Sequence, residues 1–171
     1  MYTMRRSDKE ITDRRLIEDI LRRGTVCRVA LNDEPVPYVV PLNYGYGRWN
    51  GGDALFFHSA SRGRKIDRIA KDPRAAFVIE TDHQLVVADE ACRFTMHYSS
   101  VMGTGRFTFL RSVDEKRLGM TAIMAQYTDR SDWDLPDRAL GAVTVLVLEI
   151  DEISGKRSPA PRDDRETRND C

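Results

Sequence analysis

Between Arg14 and Arg23 the apolar residues Leu16, Ile17, Ile20 and Leu21 recur three and four positions apart among charged neighbours. That period lays them along one face of an α-helix. Ser7-Asp8-Lys9-Glu10 has the spacing of a capping box, but Thr12 or Asp13 is the better N-cap, and Gly24 supplies the stop. Beyond Gly24 the period shortens. Val26–Leu31 and Val36–Tyr46 are rich in β-branched and aromatic residues, and Asn32-Asp33-Glu34-Pro35 between them reads as a hairpin. Arg48–Asp53 forms a second turn and Ala54–His58 a third strand. A basic helix follows and ends at Asp72-Pro73, because a residue before proline is driven out of the α region.

Ala75–Thr81 is a fourth strand, followed by a polar stretch from Asp82 to Glu90 without a readable period. Phe94–Leu110 reads as one or two strands in which Gly103 and Gly105 mark a bulge or a close backbone approach. Asp114–Tyr127 is helical, with Leu118, Ala122, Ile123 and Ala125 as its apolar surface. The unbroken apolar run Val143–Ile150 is a buried strand. From Lys156 onward, prolines and alternating charges read as solvated tail. At least six strands with short connections and only three helices favour a closed barrel over a doubly wound sheet. The expected organisation is one domain over residues 1–156 with a flexible charged tail over 157–171.

Composition narrows the partners. The 171 residues include 27 Lys+Arg and 27 Asp+Glu, so the formal net charge is zero and any basic site must be local. Neither nucleic acid nor an anionic membrane is indicated as the main partner. No apolar run is long enough to cross a bilayer. Cys27, Cys92 and Cys171 are odd in number and lack CxxC spacing, which points away from a disulfide framework or zinc knuckle and toward a reducing, cytoplasmic setting. No metal site is expected; the alternative would draw on His58, His97 and Cys92. Cys27 and Cys92 read as small core residues, and His83 and His97 as surface or strand-facing ones. No Ser-His-Asp order, GxGxxG or Walker pattern occurs, so a borrowed cofactor fits the chain better than side-chain hydrolysis.

The candidate chemistry lies between Leu55 and Pro73. An apolar strand runs through His58 and Ser59 into a helix whose opening carries Arg62, Arg64 and Lys65. A helix N-terminus already bears about half a positive charge and unpaired N–H groups, so cations there are unfavourable unless an anion lies between them. A phosphate held by hydroxyl, basic and N–H groups would resolve the conflict. The competing reading is a merely solvated charged face. His58, likewise, is either a structural histidine or a ligand contact and proton source.

Several motifs together resemble one family. Met4-Arg5-Arg6 precedes Ile11-Thr12-Asp13; then come Pro37–Tyr46, Phe57-His58-Ser59-Ala60 with Gly63-Arg64-Lys65-Ile66-Asp67, and Tyr98–Gly105. In this order they resemble the nitroimidazole-resistance (Nim) proteins, which belong to the pyridoxamine 5′-phosphate oxidase-like flavin split barrels. The resemblance spans roughly Arg5 to Arg157. It implies a six-stranded antiparallel split β-barrel with flanking helices, forming a homodimer that binds FMN in two clefts between subunits. FAD or another flavin is the alternative cofactor.

Carried onto this chain, the resemblance places Val39, Val40, Pro41, Leu42 and Asn43 along the flavin ring, largely through backbone groups. His58, Ser59 and Ala60 fall at the cofactor, and Arg64 and Lys65 on its phosphate. Tyr98, Ser99, Ser100 and Val101 lie near the dimer cleft, and Lys156 closes an Ile-x-Gly-Lys ending. Trp49–Gly52 and His83–Glu90 lack the family pattern and are expected to shape the substrate mouth. Trp133 either covers the cleft or packs on the barrel. The implied activity is an FMN-dependent oxidoreductase acting on a small flat acceptor, such as a nitroimidazole, with His58 as the candidate catalytic residue. The alternative is a flavin- or haem-binding protein without its own turnover; pyridoxal-type phosphate oxidation fits the fold but not the local motifs.

Overall fold

A computed structural model describes residues 5–158. Met4 and the expected tail beyond Ser158 lie outside the described residues.

Eight strands and four α-helices follow in the order β1 (Glu10–Ile11), α1 (Arg14–Arg23), β2 (Cys27–Leu31), β3 (Tyr38–Leu42), β4 (Gly45–Trp49), β5 (Gly52–Ser59), α2 (Arg64–Lys71), β6 (Arg74–Val86), β7 (Thr95–Leu110), α3 (Val113–Tyr127), α4 (Asp137–Ala142) and β8 (Thr144–Arg157). The sheet runs β3-β2-β6-β7-β8-β5-β4, every pair antiparallel, with the short β1 added along the end of β8. Its two edge strands are consecutive in the chain, separated only by Asn43 and Tyr44. Laid flat, seven strands would hold those edges roughly 29 Å apart. The sheet must therefore curl until β3 and β4 meet at one corner, which gives the split barrel. Val36–Tyr46, read from sequence as one run, is broken there because Tyr44 turns wholly into the core and its hydroxyl donates to the Leu21 carbonyl at 2.7 Å.

The core explains the local patterns. Inside the barrel lie Leu21, Val29, Leu31, Leu55, Phe57, Ile79, Val101, Leu146 and Leu148. A smaller cluster of Ala54, Phe56, Val145, Val147, Leu110 and Ile123 fills the space under α3. Strands β5 and β8 are thus covered on both faces, and their apolar runs are continuous rather than alternating. Asp13 caps α1, accepting from the Arg15 N–H at 2.9 Å, and Ser112 with Glu115 forms a capping box at α3. Gly24 ends α1 with extended backbone, so its smallness serves packing: a Cβ there would strike Ile79 and the Tyr44 hydroxyl.

Several expectations are extended or corrected. Strand β6 continues past Thr81 through a bulge, and β7 is one strand of 16 residues; together they form an arm in which Gln84–Val86 pairs with Thr95–His97. The bulge foreseen near Gly103 and Gly105 falls between Thr104 and Gly105. Strand β8 reaches Arg157 because β7 and β1 both pair with its end, so Lys156 and Arg157 are in the sheet rather than in a tail. The short helix α4 was not anticipated. Cys92 is exposed beside the arm tip rather than in the core, whereas Cys27 is buried and its thiol is pushed up to about 12 by that burial.

Candidate functional site: the β5–α2 junction

At the end of β5 the side chains alternate across the sheet. His58 points outward and is exposed, while Ser59 is only 7% exposed and its Oγ is buried without a hydrogen-bond partner. The exposed residues from Ala60 to Gly63 lead into α2. Gly63, with φ at 131°, is the N-cap, and no side chain caps the helix. A side chain at this φ would be strained, and the open first turn leaves N–H groups for an outside acceptor. An orphaned buried hydroxyl beside an uncapped helix start is the donor set an anionic group requires. A flavin phosphate fits it.

The clash of cations with the helix dipole is eased from within the chain as well. Asp33, in the β2–β3 turn, has a side chain only 6% exposed and binds Arg64 at 2.8 Å and Arg68 at 2.7 Å. The Arg64 hydrogen bond, helped by the Glu34 N–H and Arg68, holds the Asp33 carboxyl below its usual range despite burial. The Arg64 guanidinium also lies 4.5 Å from the centre of the Tyr38 ring, at the start of β3. The phosphate candidate and the candidate ring strand therefore meet at Arg64. Arg62 and Lys65 enter no ion pair among the described residues.

Along β3, Val39 and Pro41 face outward, whereas Val40 and Leu42 pack against the barrel core. Val39 lines a trough of ≈ 760 Å³ on the outer face of the sheet, together with Arg28, Met102 and Thr104. Asn43 is committed to the β3–β4 corner, donating to the Thr25 carbonyl and the Tyr127 hydroxyl.

The remaining candidates form a second group. Ser100 pairs with Lys156 across β7 and β8, and its Oγ donates to the Lys156 carbonyl at 3.4 Å. Tyr98 and Ser99 line a polar cleft of ≈ 580 Å³ with Asp82 and Arg157. Val101 is fully buried in the core and flanked by β6 and β8 on either side, so it is not open to a ligand within one chain. His97, read from sequence as a surface or strand-facing residue, is 9% exposed with Nε2 lacking a partner; only the register of the arm reveals this. Trp133 packs locally, donating to the Arg130 carbonyl under the Arg130 guanidinium.

Within one chain the β5–α2 junction and the Ser100–Lys156 pair lie at opposite ends of β8. Ser59 pairs with Thr144 at the start of β8, and Ser100 with Lys156 near its end. That interval is roughly 40 Å of extended strand.

The pyridoxamine 5′-phosphate oxidase family profile matches residues 13–157. Among curated proteins none matches. Among solved structures, a candidate 5-nitroimidazole antibiotic resistance protein from Bacteroides thetaiotaomicron is 32% identical, with 86% of each chain covered and a TM-score of 0.76. An FAD and haem binding protein from Mycobacterium smegmatis is 25% identical over 92% of this chain and 77% of that one, with a TM-score of 0.77. The flavocytochrome Anf3 from Azotobacter vinelandii, at 22% identity, 96% and 77% coverage and a TM-score of 0.77, shares the fold.

Proposed function

Because the chain belongs to the pyridoxamine 5′-phosphate oxidase family, we propose that it is an FMN-dependent oxidoreductase, a homodimer that reduces a small flat acceptor of the nitroaromatic or nitroimidazole kind. The observation that carries this reading is the β5–α2 junction, where the orphaned Ser59 Oγ and an uncapped helix start lie beside Arg64 and Lys65. Ser59, the first N–H groups of α2 and the two cations would hold the phosphate. Backbone groups of Val39–Asn43 would run along the ring, with His58 and Ala60 beside it. When bound, the flavin supplies the hydride or electron transfer that no side chain here can provide.

The protein's own work is orientation and proton supply. The phosphate anchor and β3 would fix the ring, so that an acceptor stacked on it stands in a reactive position. His58, exposed at the strand end, is free to give a proton to the acceptor. Separation of the two candidate groups along β8 supports the dimer: Tyr98–Ser100 and Lys156 of one copy would complete the site built on α2 of the other. Exposed Val39 and Met102 on the outer trough are apolar surface suited to such a contact. A cytoplasmic setting belongs to the same reading; no helix among the described residues is long and apolar enough to cross a membrane.

A flavin- or haem-binding protein without turnover is the second reading, favoured by the likeness to the mycobacterial FAD and haem binding protein. A visible spectrum separates the two cofactors, flavin bands against an intense Soret band. Bleaching of the flavin by NADH or NADPH and consumption of the nitro absorbance of a nitroimidazole are expected for the reductase. Flavin that no reductant bleaches would leave only the binding protein.

A further inference from the structure

We propose that Asp33, which lies 31 positions before Arg64 in the chain, is a positioning residue that sets Arg64 for the phosphate of the flavin. The inference rests on the phosphate reading of the β5–α2 junction. Arg64 Nε donates to Asp33 Oδ2 at 2.9 Å, and its Nη2 lies 2.8 Å from the same oxygen. The carboxylate therefore occupies one edge of the guanidinium. Of the five N–H groups of an arginine, three stay available on the other side.

Asp33 is itself held firmly. Its Oδ1 accepts from Arg68 Nη1 at 2.7 Å and from the Glu34 N–H at 2.9 Å, so it bridges the first and second turns of α2 to the β2–β3 turn. Tyr38 gives Arg64 a flat platform at 4.5 Å. A long, 56% exposed side chain that would otherwise sample many rotamers is thus confined by a carboxylate on its edge and a ring on its face. Preorganising a donor lowers the ordering cost when the anion arrives.

Charge alone argues the opposite sign. Asp33 places a negative charge beside a site for an anion, so simple electrostatics has its removal tighten phosphate binding. Positioning has it loosen. The sign of one substitution therefore decides between them.

The test uses the full-length chain freed of bound flavin and titrated with FMN and with riboflavin, which lacks the phosphate. Wild type should prefer FMN. In Asp33→Asn, which keeps shape and loses charge, FMN affinity should fall at least fivefold while riboflavin affinity stays within twofold. Tyr38→Leu, which removes the platform and leaves the carboxylate, should shift the same ratio in the same direction and stands in if Asp33→Asn does not fold. Unchanged or tighter FMN binding in a folded Asp33→Asn overturns the positioning role. So does a parallel loss of both flavins, which marks general structural damage. A wild type with no preference for FMN over riboflavin instead overturns the phosphate anchor itself.

Discussion

Ser59 and Asp33 show what single residues contribute here. A buried hydroxyl without a partner forfeits a hydrogen bond worth about 1 kcal/mol, and a ligand oxygen is a ready way to restore it. Arg64 and Lys65 add charge. Hydrogen bonds to charged groups are worth about 1.5–3 kcal/mol, so Arg64→Ala or Lys65→Ala should each weaken FMN binding about tenfold or more. Flavin titration checks this, and unchanged affinity in both variants would remove the phosphate assignment. The cluster of cations was plain in the sequence, but its second anion was not: Asp33 is brought to Arg64 only by the way the hairpin folds over α2. For His97 the sequence left two readings open, surface or strand-facing; it lies buried on β7, and that burial depends on the pairing of the arm and not on its neighbours in sequence.

Elements succeed or fail at their contacts. Gly105 sits at the β7–β8 bulge, where a Cβ would fall on the Glu149 carbonyl. Gly105→Ala should cost about 1–3 kcal/mol through overpacking, seen as a lowered Tm in a thermal melt; an unchanged Tm would mean the bulge absorbs a methyl group freely. The arm has a tether of its own. Asp82, at its bulged base with φ at 61°, binds Arg23 of α1 at 2.6 Å, and that hydrogen bond above all holds its carboxyl well below the usual range. A depressed carboxylate contributes its stability above the unfolded value of about 3.9 and loses it as pH falls toward the folded one. Protection of the arm's amides, their exchange measured relative to the intrinsic rate at each pH, should therefore fall only below about pH 4. Asp82→Asn should show the looser arm at neutral pH and lose the acid step. The end of α3 is a further contact invisible in sequence: Gln126 Nε2 donates to the carbonyls of Leu21, Arg22 and Gly24, closing the C-terminus of α1.

For the whole molecule, the question is whether one site needs two chains. If α2 of one copy and the β7–β8 end of the other share a flavin, Arg64→Ala/Lys65→Ala and Ser100→Ala/Lys156→Ala homodimers should both bind FMN weakly. A mixed dimer should regain one tight site per pair, because one of its two clefts combines the unaltered halves. Titration of co-purified, differently tagged chains reads this directly, and a mixed dimer no better than its parents would place the whole site in one chain. The local elements could be read from residue order alone, because helix period, caps, proline stops and a continuous apolar strand act over a few neighbours. The sequence also carried the motif order that resembles the flavin split barrels. It took the folded chain to close the sheet between β3 and β4 at Tyr44, to bring Asp33 onto Arg64, and to set the β5–α2 junction and the Ser100–Lys156 pair at opposite ends of β8. Those facts depend on register and curvature, which sum over strands far apart in the chain and are not written in any one segment.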